Sequence, residues 1–460
     1  MKTDFDLVVV GGGSGGYAAA RTAVAAGLRT AVVEGGDPMG GLCILRGCMP
    51  TKALLQAAEV LHLARHASTW GIRTGAPGFD WQAVMARKDR LIGEFADYRV
   101  KQLHDGGFSL IRDQARFRDP HTLELGQGGT VAAAHFIVST GSRVSPPPLP
   151  ALSEAGFITS DEALSLTQPP KSLIVLGGGA VAVEFAQFFA RFGVAVTLVQ
   201  RSEQVLRDFD EDAATVVEKV FRHEGLRVFT GTRLTGAGRD GTTKFVEFDH
   251  AGRPERVEAG EILVALGREP ATDGLELGRA GVRAERGRIV TDAGMRTSVP
   301  HIFAAGDCTG PHEIVHLAIQ QGEIAAHNVA RPESPRQMDY RLLTSVVFTE
   351  PAVAVVGLTE KAARAHGVPY RAASYPFNDH GKSLIMEALD GFVKLLADPA
   401  TGEILGGVCV GPLAGELIHE IVTAMHSRMT VQALAAMPHY HPTLAEIWTY
   451  PAEELAAVCG

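Results

Sequence analysis

One arrangement occurs twice in this chain and limits what it can fold into. Phe5–Val10 is a short apolar run, followed at once by Gly11-Gly12-Gly13-Ser14-Gly15-Gly16 and an alanine-rich helical stretch to about Ala26; Thr30–Val33 is a second apolar run that closes on Glu34. The plan returns with Ser172–Leu176, the turn Gly177-Gly178-Gly179-Ala180-Val181-Ala182, a helical stretch Val183–Phe192 and a strand Val194–Val199. Strand, glycine turn, helix, strand is the order of a parallel β-α-β unit whose turn faces a pyrophosphate. Gly11 and Gly177 permit the tight turn, Gly13 and Gly179 let phosphates approach the backbone, and Gly16 and Ala182 set how closely helix and strand pack. The N-terminus of the helix that follows the turn offers N–H groups that intrahelical bonding leaves open. Glu34 lies where a carboxylate accepts hydrogen bonds from a ribose. Two copies imply two nucleotide sites, each in its own doubly wound domain.

At ~100–200 residues per domain, 460 residues argue for about three domains. Composition fits an ordinary globular protein, with 46% hydrophobic and 21% charged residues. The net charge of −9 and the lack of a basic run argue against a nucleic-acid partner. Acids at Asp4 and Asp6 stand where a secretory signal is basic, and no stretch approaches the ~18 apolar residues that span a bilayer, so no membrane role is expected and the chain reads as cytoplasmic. The prolines Pro146, Pro147, Pro148 and Pro150 mark a stiff connection, and Arg331–Pro335 a loop after which strand-like runs begin at Ser345–Phe348 and Ala352–Val356. A hairpin follows over Phe392–Leu396 and Ile404–Val410, then helical stretches from about Ala414 to Met429 and Thr430 to Met437.

Five cysteines in so long a chain are no disulfide scaffold, and Cys43 and Cys48 are the one close pair. A regular helix would hold their Cα atoms about 8.7 Å apart, beyond the ~6.8 Å limit for a disulfide, so a bridge requires a distorted turn. Such a bridge is easily reduced and suits a working redox pair. Two buried thiols or half a metal site are the alternatives, and zinc prefers closer spacing with a second ligand pair. Cys308, Cys409 and Cys459 read as small buried thiols.

The segment Gly40–Lys52 resembles the G-G-x-C-x-x-x-x-G-C-x-P-[ST]-K signature of the flavin-dependent pyridine nucleotide-disulfide oxidoreductases, the family of dihydrolipoamide dehydrogenase, glutathione reductase and mercuric reductase. The resemblance covers the whole chain, through Thr140-Gly141, Gly267–Pro270, Thr297–Asp307 and His441–Glu446. It implies an α/β fold with two doubly wound dinucleotide-binding domains and a C-terminal α+β dimerisation domain. The FAD domain would be discontinuous, over residues 1–150 and 271–335, with an NAD(P) domain over 151–270 and an interface domain over 336–460. FAD would take Gly11, Gly13, Ser14, Gly16, Gly41, Thr140 and Gly141, with Glu34 on the adenosine ribose, Asp307 on the ribityl chain and Lys52 beside the flavin; NADPH or NADH would take Gly177, Gly179, Ala182, Gln200, Arg201, Arg207, Gly267 and Arg268. Hydride would pass from nicotinamide to flavin, and the flavin would reduce the disulfide. By the same resemblance Cys48 is the thiol nearer the flavin, Cys43 the interchange thiol, and Lys52 pairs with Glu184. His441 is the base for Cys43 of the other subunit, with Glu446 fixing its tautomer, which implies a homodimer with shared active sites. A metal pair at His439 and His441 is the lesser reading, since Pro442 interrupts a strand and no third ligand stands nearby.

Two halves of the chain point to different relatives. His439–Leu444 and His316, which joins the cofactor-binding set, match dihydrolipoamide dehydrogenase, and a lipoyl-like dithiol is the expected substrate. Mercuric reductases carry a vicinal cysteine pair near the C-terminus, whereas Cys459 is single. Gln200, however, stands where an NAD enzyme places an acid, and Arg201 and Arg207 match positions that hold the 2'-phosphate in NADPH-dependent relatives. Leu42 and Arg46 also depart from the commonest form of the cysteine motif. The alternatives are an NADPH-driven reductase of another disulfide, a quinone or a metal ion, and a flavin-bearing redox sensor. The intact His441 and Glu446 pair argues against the sensor, which needs only the cysteines.

Overall fold

The computed structural model describes residues 3–460. Two units divide it: the chain up to Ala53 with Met85–Pro146 and Gly267–Met338, and Leu54–Val84 with Pro147–Leu266 and Asp339–Gly460.

In the first unit Phe5–Val10 lies at the centre of a parallel sheet, between Thr30–Val33 and Thr130–Val138, with Ser109–Ile111 beyond the former and Ile302–Ala304 beyond the latter. Leu7, Val8 and Val9 are wholly buried, as continuous apolar runs are in a parallel sheet covered on both faces. The N-terminal half of Thr130–Val138 instead pairs antiparallel with Thr122–Leu125, which pairs with Ala115–Asp119. The helix Ser14–Ala25 packs on Val315–Ala330 with almost nothing between the two backbones. A Cβ on Gly322 would stand 2.2 Å from the Gly15 carbonyl oxygen, so only glycine permits this approach.

In the second unit Arg227–Phe229, Ala195–Val199, Ser172–Leu176 and Glu261–Val264 form a parallel sheet. A three-stranded antiparallel sheet, Thr232–Asp240, Thr243–His250 and Arg253–Ala259, shares a core with it through Ile174, Leu176, Val246 and Phe248. The C-terminal part is a five-stranded antiparallel sheet in the order Thr344–Val347, Ala352–Gly357, Ile404–Gly411, Phe392–Ala397, Arg371–Pro376. The helices Ala414–His426 and Thr449–Ala456 close it over Phe377 and Trp448. Lys394 on this sheet is buried, with its ammonium 2.9 Å from Asp210, 2.7 Å from Asp212 and 3.0 Å from Glu360.

Several element ends differ from the expected ones for local reasons. Pro150, expected in the stiff connection, opens the helix Pro150–Ala155, where its fixed φ is an advantage. The second nucleotide helix starts at Ala180 rather than Val183, because Gly179 already serves as its N-cap. The stretch expected from Ala414 to Met429 ends at His426, with Arg428 at φ +50°, and the next helix is only Val431–Ala435. Among the described residues, no helix is long and apolar enough to cross a membrane.

Candidate active site

In the first unit the strand Phe5–Val10 delivers the chain to Gly11 at φ +101°, and Gly13 caps the helix Ser14–Ala25. A Cβ on Gly16 would stand 1.8 Å from the Gly11 carbonyl oxygen, so the third glycine brings the helix start onto the turn. Glu34 receives the Gly12 N–H on one carboxylate oxygen and the Gly36 N–H on the other, each at 2.5 Å. Gly41, at φ +78°, lies against Gly13. On the neighbouring strand end, the hydroxyl of Thr140 is buried with no hydrogen-bond partner, and Gly141 follows at φ +72°. Ser142 donates to Asp307 at 2.7 Å, and Arg268 donates to Ser142 Oγ at 2.9 Å. His316 stands in the first turn of Val315–Ala330. The bare backbone of the glycine turn, the carboxylate beneath it, the orphaned Thr140 hydroxyl and Asp307 fit a flavin dinucleotide.

The cysteine segment is not one helix. Leu42–Leu45 makes a single turn, Arg46 leaves helical geometry at φ −144°, and a new helix Cys48–His66 starts at the second cysteine. Gly47 makes the break possible: a Cβ there would stand 3.0 Å from the Leu42 carbonyl oxygen and 3.1 Å from Cys43 Cα. The broken turn brings both cysteines, present as thiols, within hydrogen-bonding reach. Cys43 is held well above the ordinary thiol range, first by its hydrogen bond with Cys48 and then by burial, while Lys52 pulls the other way. Cys43 therefore keeps its proton until a base removes it. Cys48 sits at a helix start with Lys52 one turn on, an arrangement that favours a thiolate.

Sequence reasoning passed over Arg99. It lies on the helix Trp81–His104, 4.6 Å above the Tyr17 ring, with one guanidinium nitrogen buried and unpartnered, and Cys43 is among the groups that feel its charge. It also passed over Ser142, Gly322 and Gln321, which accepts the Gly306 N–H at 2.7 Å. Cys308, Cys409 and Cys459 are all buried.

The second unit holds the other glycine turn. Gly177 is at φ +122°, and Gly179 caps Ala180–Arg191 with no atom near where a Cβ would point. Ala182 is fully buried in the place that Gly16 holds in the first turn. Gln200 is buried beneath Gly178, with its carbonyl oxygen accepting the Arg201 N–H at 3.1 Å and its amide reaching the Gln204 carbonyl at 3.4 Å. Arg201 and Arg207 are exposed. Glu184 is buried in the helix, accepting the Phe348 N–H at 2.9 Å. Gly267 and Arg268 belong to the first unit rather than to this one.

Near the C-terminus His441 Nδ1 is 2.9 Å from Glu446 Oε2, with the ring exposed and the carboxylate largely buried. A carboxylate on Nδ1 leaves Nε2 to exchange a proton. His439 turns elsewhere, with Nε2 2.6 Å from Glu420. No group of three or more metal-type ligands occurs among the described residues.

Comparison with known proteins adds the following. The model of the pyridine nucleotide-disulphide oxidoreductases matches residues 5–322, and that of the corresponding dimerisation domain matches 343–452. The chain is 38% identical to a dihydrolipoyl dehydrogenase of Thermus scotoductus over 99% of this chain and 98% of the relative. It is also 38% identical to a mercuric reductase of Streptomyces lividans, over 96% and 94%. Among solved structures, LpdA from Mycobacterium tuberculosis superposes with a TM-score of 0.87 at 30% identity, covering 98% of this chain and 99% of that one. The HOCl-induced flavoprotein disulfide reductase RclA from Escherichia coli, as its Cu(II) complex, also gives 0.87, at 26% identity over 99% and 100%.

Proposed function

Because this chain belongs to the pyridine nucleotide-disulphide oxidoreductase family and is an FAD- and NAD(P)H-dependent flavoprotein disulfide oxidoreductase, we propose that it exchanges electrons with a small vicinal dithiol of the lipoyl type. The observation that carries this reading is an exposed imidazole oriented by a carboxylate, His441 on Glu446, which is the base that an interchange thiol such as Cys43, kept protonated by its hydrogen bond with Cys48, requires. In the oxidising direction, His441 Nε2 takes a proton from the substrate dithiol. The resulting thiolate attacks Cys43 in the Cys43–Cys48 disulfide, with Cys48 leaving as thiolate. The second substrate thiol then displaces Cys43, which takes the proton held by the imidazolium while the proton of that second thiol passes to the freed His441 Nε2, and a substrate disulfide departs. Substrate loses two electrons and the cysteine pair gains them. FAD, when bound, relays them to NAD(P)+. Glu446 holds the imidazole in one tautomer and balances its charge after proton uptake. Lys52 would supply a cation that stabilises the reduced flavin. We also assign a homodimer in which His441 serves the cysteines of the partner subunit, and three domains over 1–150 with 271–335, 151–270 and 336–460.

Gln200 in place of an acid, with Arg201 and Arg207 exposed beside it, favours NADPH over NADH. The test is a steady-state matrix of NADH and NADPH against lipoamide, glutathione disulfide, a quinone and Hg(II). Lipoamide should give the highest kcat/KM, and Cys43→Ser or Cys48→Ser should abolish that activity. Preference for the quinone or Hg(II), or turnover of lipoamide without either cysteine, would overturn the assignment.

A further inference from the structure

Glu446 has two carboxylate oxygens, and the His441 bond uses only Oε2. Oε1 faces a second imidazole, 3.4 Å from Nε2 of His380. That ring is completely buried, between the edges of Phe377 and Tyr450 at centroid distances of 6.5 and 6.3 Å. Its Nδ1 is 2.8 Å from the hydroxyl of Ser383, itself fully buried, and its Nε2 has no hydrogen-bond partner, so Oε1 is the acceptor within reach of a small rotation.

We propose that His380 is a positioning residue for the base: with Ser383 behind it and Glu446 in front, it fixes the carboxylate that orients His441. This rests on the reading of His441 as the base for thiol exchange. A carboxylate held by one imidazole alone is free to turn about its last torsion, and each turn misdirects the His441 ring. When the Ser383 hydroxyl donates to Nδ1, the neutral ring carries its proton on Nε2 and donates it to Oε1. Each carboxylate oxygen then receives one N–H. Neutrality matters here, because a second cation beside Glu446 would compete with the imidazolium that forms on His441. Burial keeps His380 neutral, lowering its pKa against the opposing pull of Glu446, and the nearby His441 ring acts in the same direction as burial. The remaining titratable groups around it are spoken for: Tyr375 and Tyr450 stack at 3.9 Å, and the Tyr375 hydroxyl donates to Asp379 at 3.0 Å.

The test uses the FAD-loaded enzyme in three forms, His380→Leu, His380→Gln and His441→Ala, with lipoamide and dihydrolipoamide as probes. Two steps are followed: flavin reduction by NAD(P)H in stopped flow, and thiol–disulfide exchange in steady state over a range of pH. His380→Leu should slow exchange about ten-fold and move the pH limb of the base by about half a unit or more, with flavin reduction unchanged. His380→Gln, whose amide N–H can reach Oε1, should restore most of both. Exchange and pH profile unchanged in His380→Leu would overturn the proposal. So would a parallel fall of exchange and flavin reduction in both His380 variants, which marks a purely structural role. If His441→Ala exchanges at the full rate, the reading of the base fails instead; if it is inactive while His380→Leu is normal, only the role of His380 is lost.

Discussion

The two glycine turns start alike and are anchored by opposite means. In the first, the helix Ser14–Ala25 is alanine-rich and touches Val315–Ala330 through Gly15 and Gly322, with backbone on backbone. In the second, the helix Ala180–Arg191 buries three polar side chains. Glu184 accepts the Phe348 N–H, Gln187 exchanges hydrogen bonds of 2.7 and 2.8 Å with the Glu350 backbone, and Arg191 pairs with Glu59 and, at 2.8 Å, with Glu224. The residue beneath the middle glycine differs in the same sense: Glu34 is an anion bonded to the turn, whereas Gln200 is neutral and turned toward its own loop. Bare backbone contact has no charge to titrate and no tolerance for a methyl group. A polar anchor tolerates side chains but depends on protonation.

The largest effect that separates them is steric. Gly322→Val should give protein that fails to retain flavin or fails to fold, because its Cβ would meet the Gly15 carbonyl at 2.2 Å and backbone cannot yield as a side chain can. Ala182→Gly in the second turn serves as the contrast and should retain flavin like the parent chain. The ratio of flavin to protein absorbance reads both, and a yellow, fully loaded Gly322→Val would break the comparison.

Gly322 also shows where the sequence stops being legible. Both turns can be read from the sequence because their glycines fall at fixed short spacing beside apolar runs, and the cysteine pair because the residues around it form a dense motif. Gly322 lies some three hundred positions from the atom it must avoid, and Ser142 is 165 positions from Asp307. No local pattern announces such contacts. His380 is similar: a lone histidine in sequence, it gains meaning only when the fold sets it 3.4 Å from Glu446. The break at Gly47 is legible only in part, since helix geometry requires a distorted turn if the two cysteines are bridged but does not say which residue allows it. His439, for which a metal pair with His441 is the lesser reading of the sequence, turns to Glu420 because the helix Ala414–His426 presents a carboxylate to it.

The next contrast concerns the residue beneath each turn. Gln200→Glu would restore an acid where the first turn has Glu34, and should lower kcat/KM for NADPH relative to NADH ten-fold or more, about 1.4 kcal/mol. The charge would repel a 2'-phosphate and accept a ribose hydroxyl. An unaltered ratio would show that Gln200 does not choose the cofactor, and would leave Arg201 and Arg207 to be tested alone.

The smallest expected effect probes the polar anchor itself. Glu350, whose backbone holds Gln187, has its carboxyl pushed from 4.5 up to about 8, by burial first and then by Glu59 and Glu224, with Arg191 opposing. The folded chain keeps this proton across the window from about 4.5 to 8, while the unfolded chain has lost it, so folding takes up a proton there. Stability from this group is therefore fully present below pH 4.5 and is lost progressively as pH rises toward 8. Glu350→Gln keeps the shape and removes the titration. Its thermal midpoint should exceed that of the parent by about 2–4 °C at pH 8, and the gap should close as pH falls toward 5. Melting curves at several pH values decide it, and a constant gap would mean that the second helix is held without regard to protonation, as the first is.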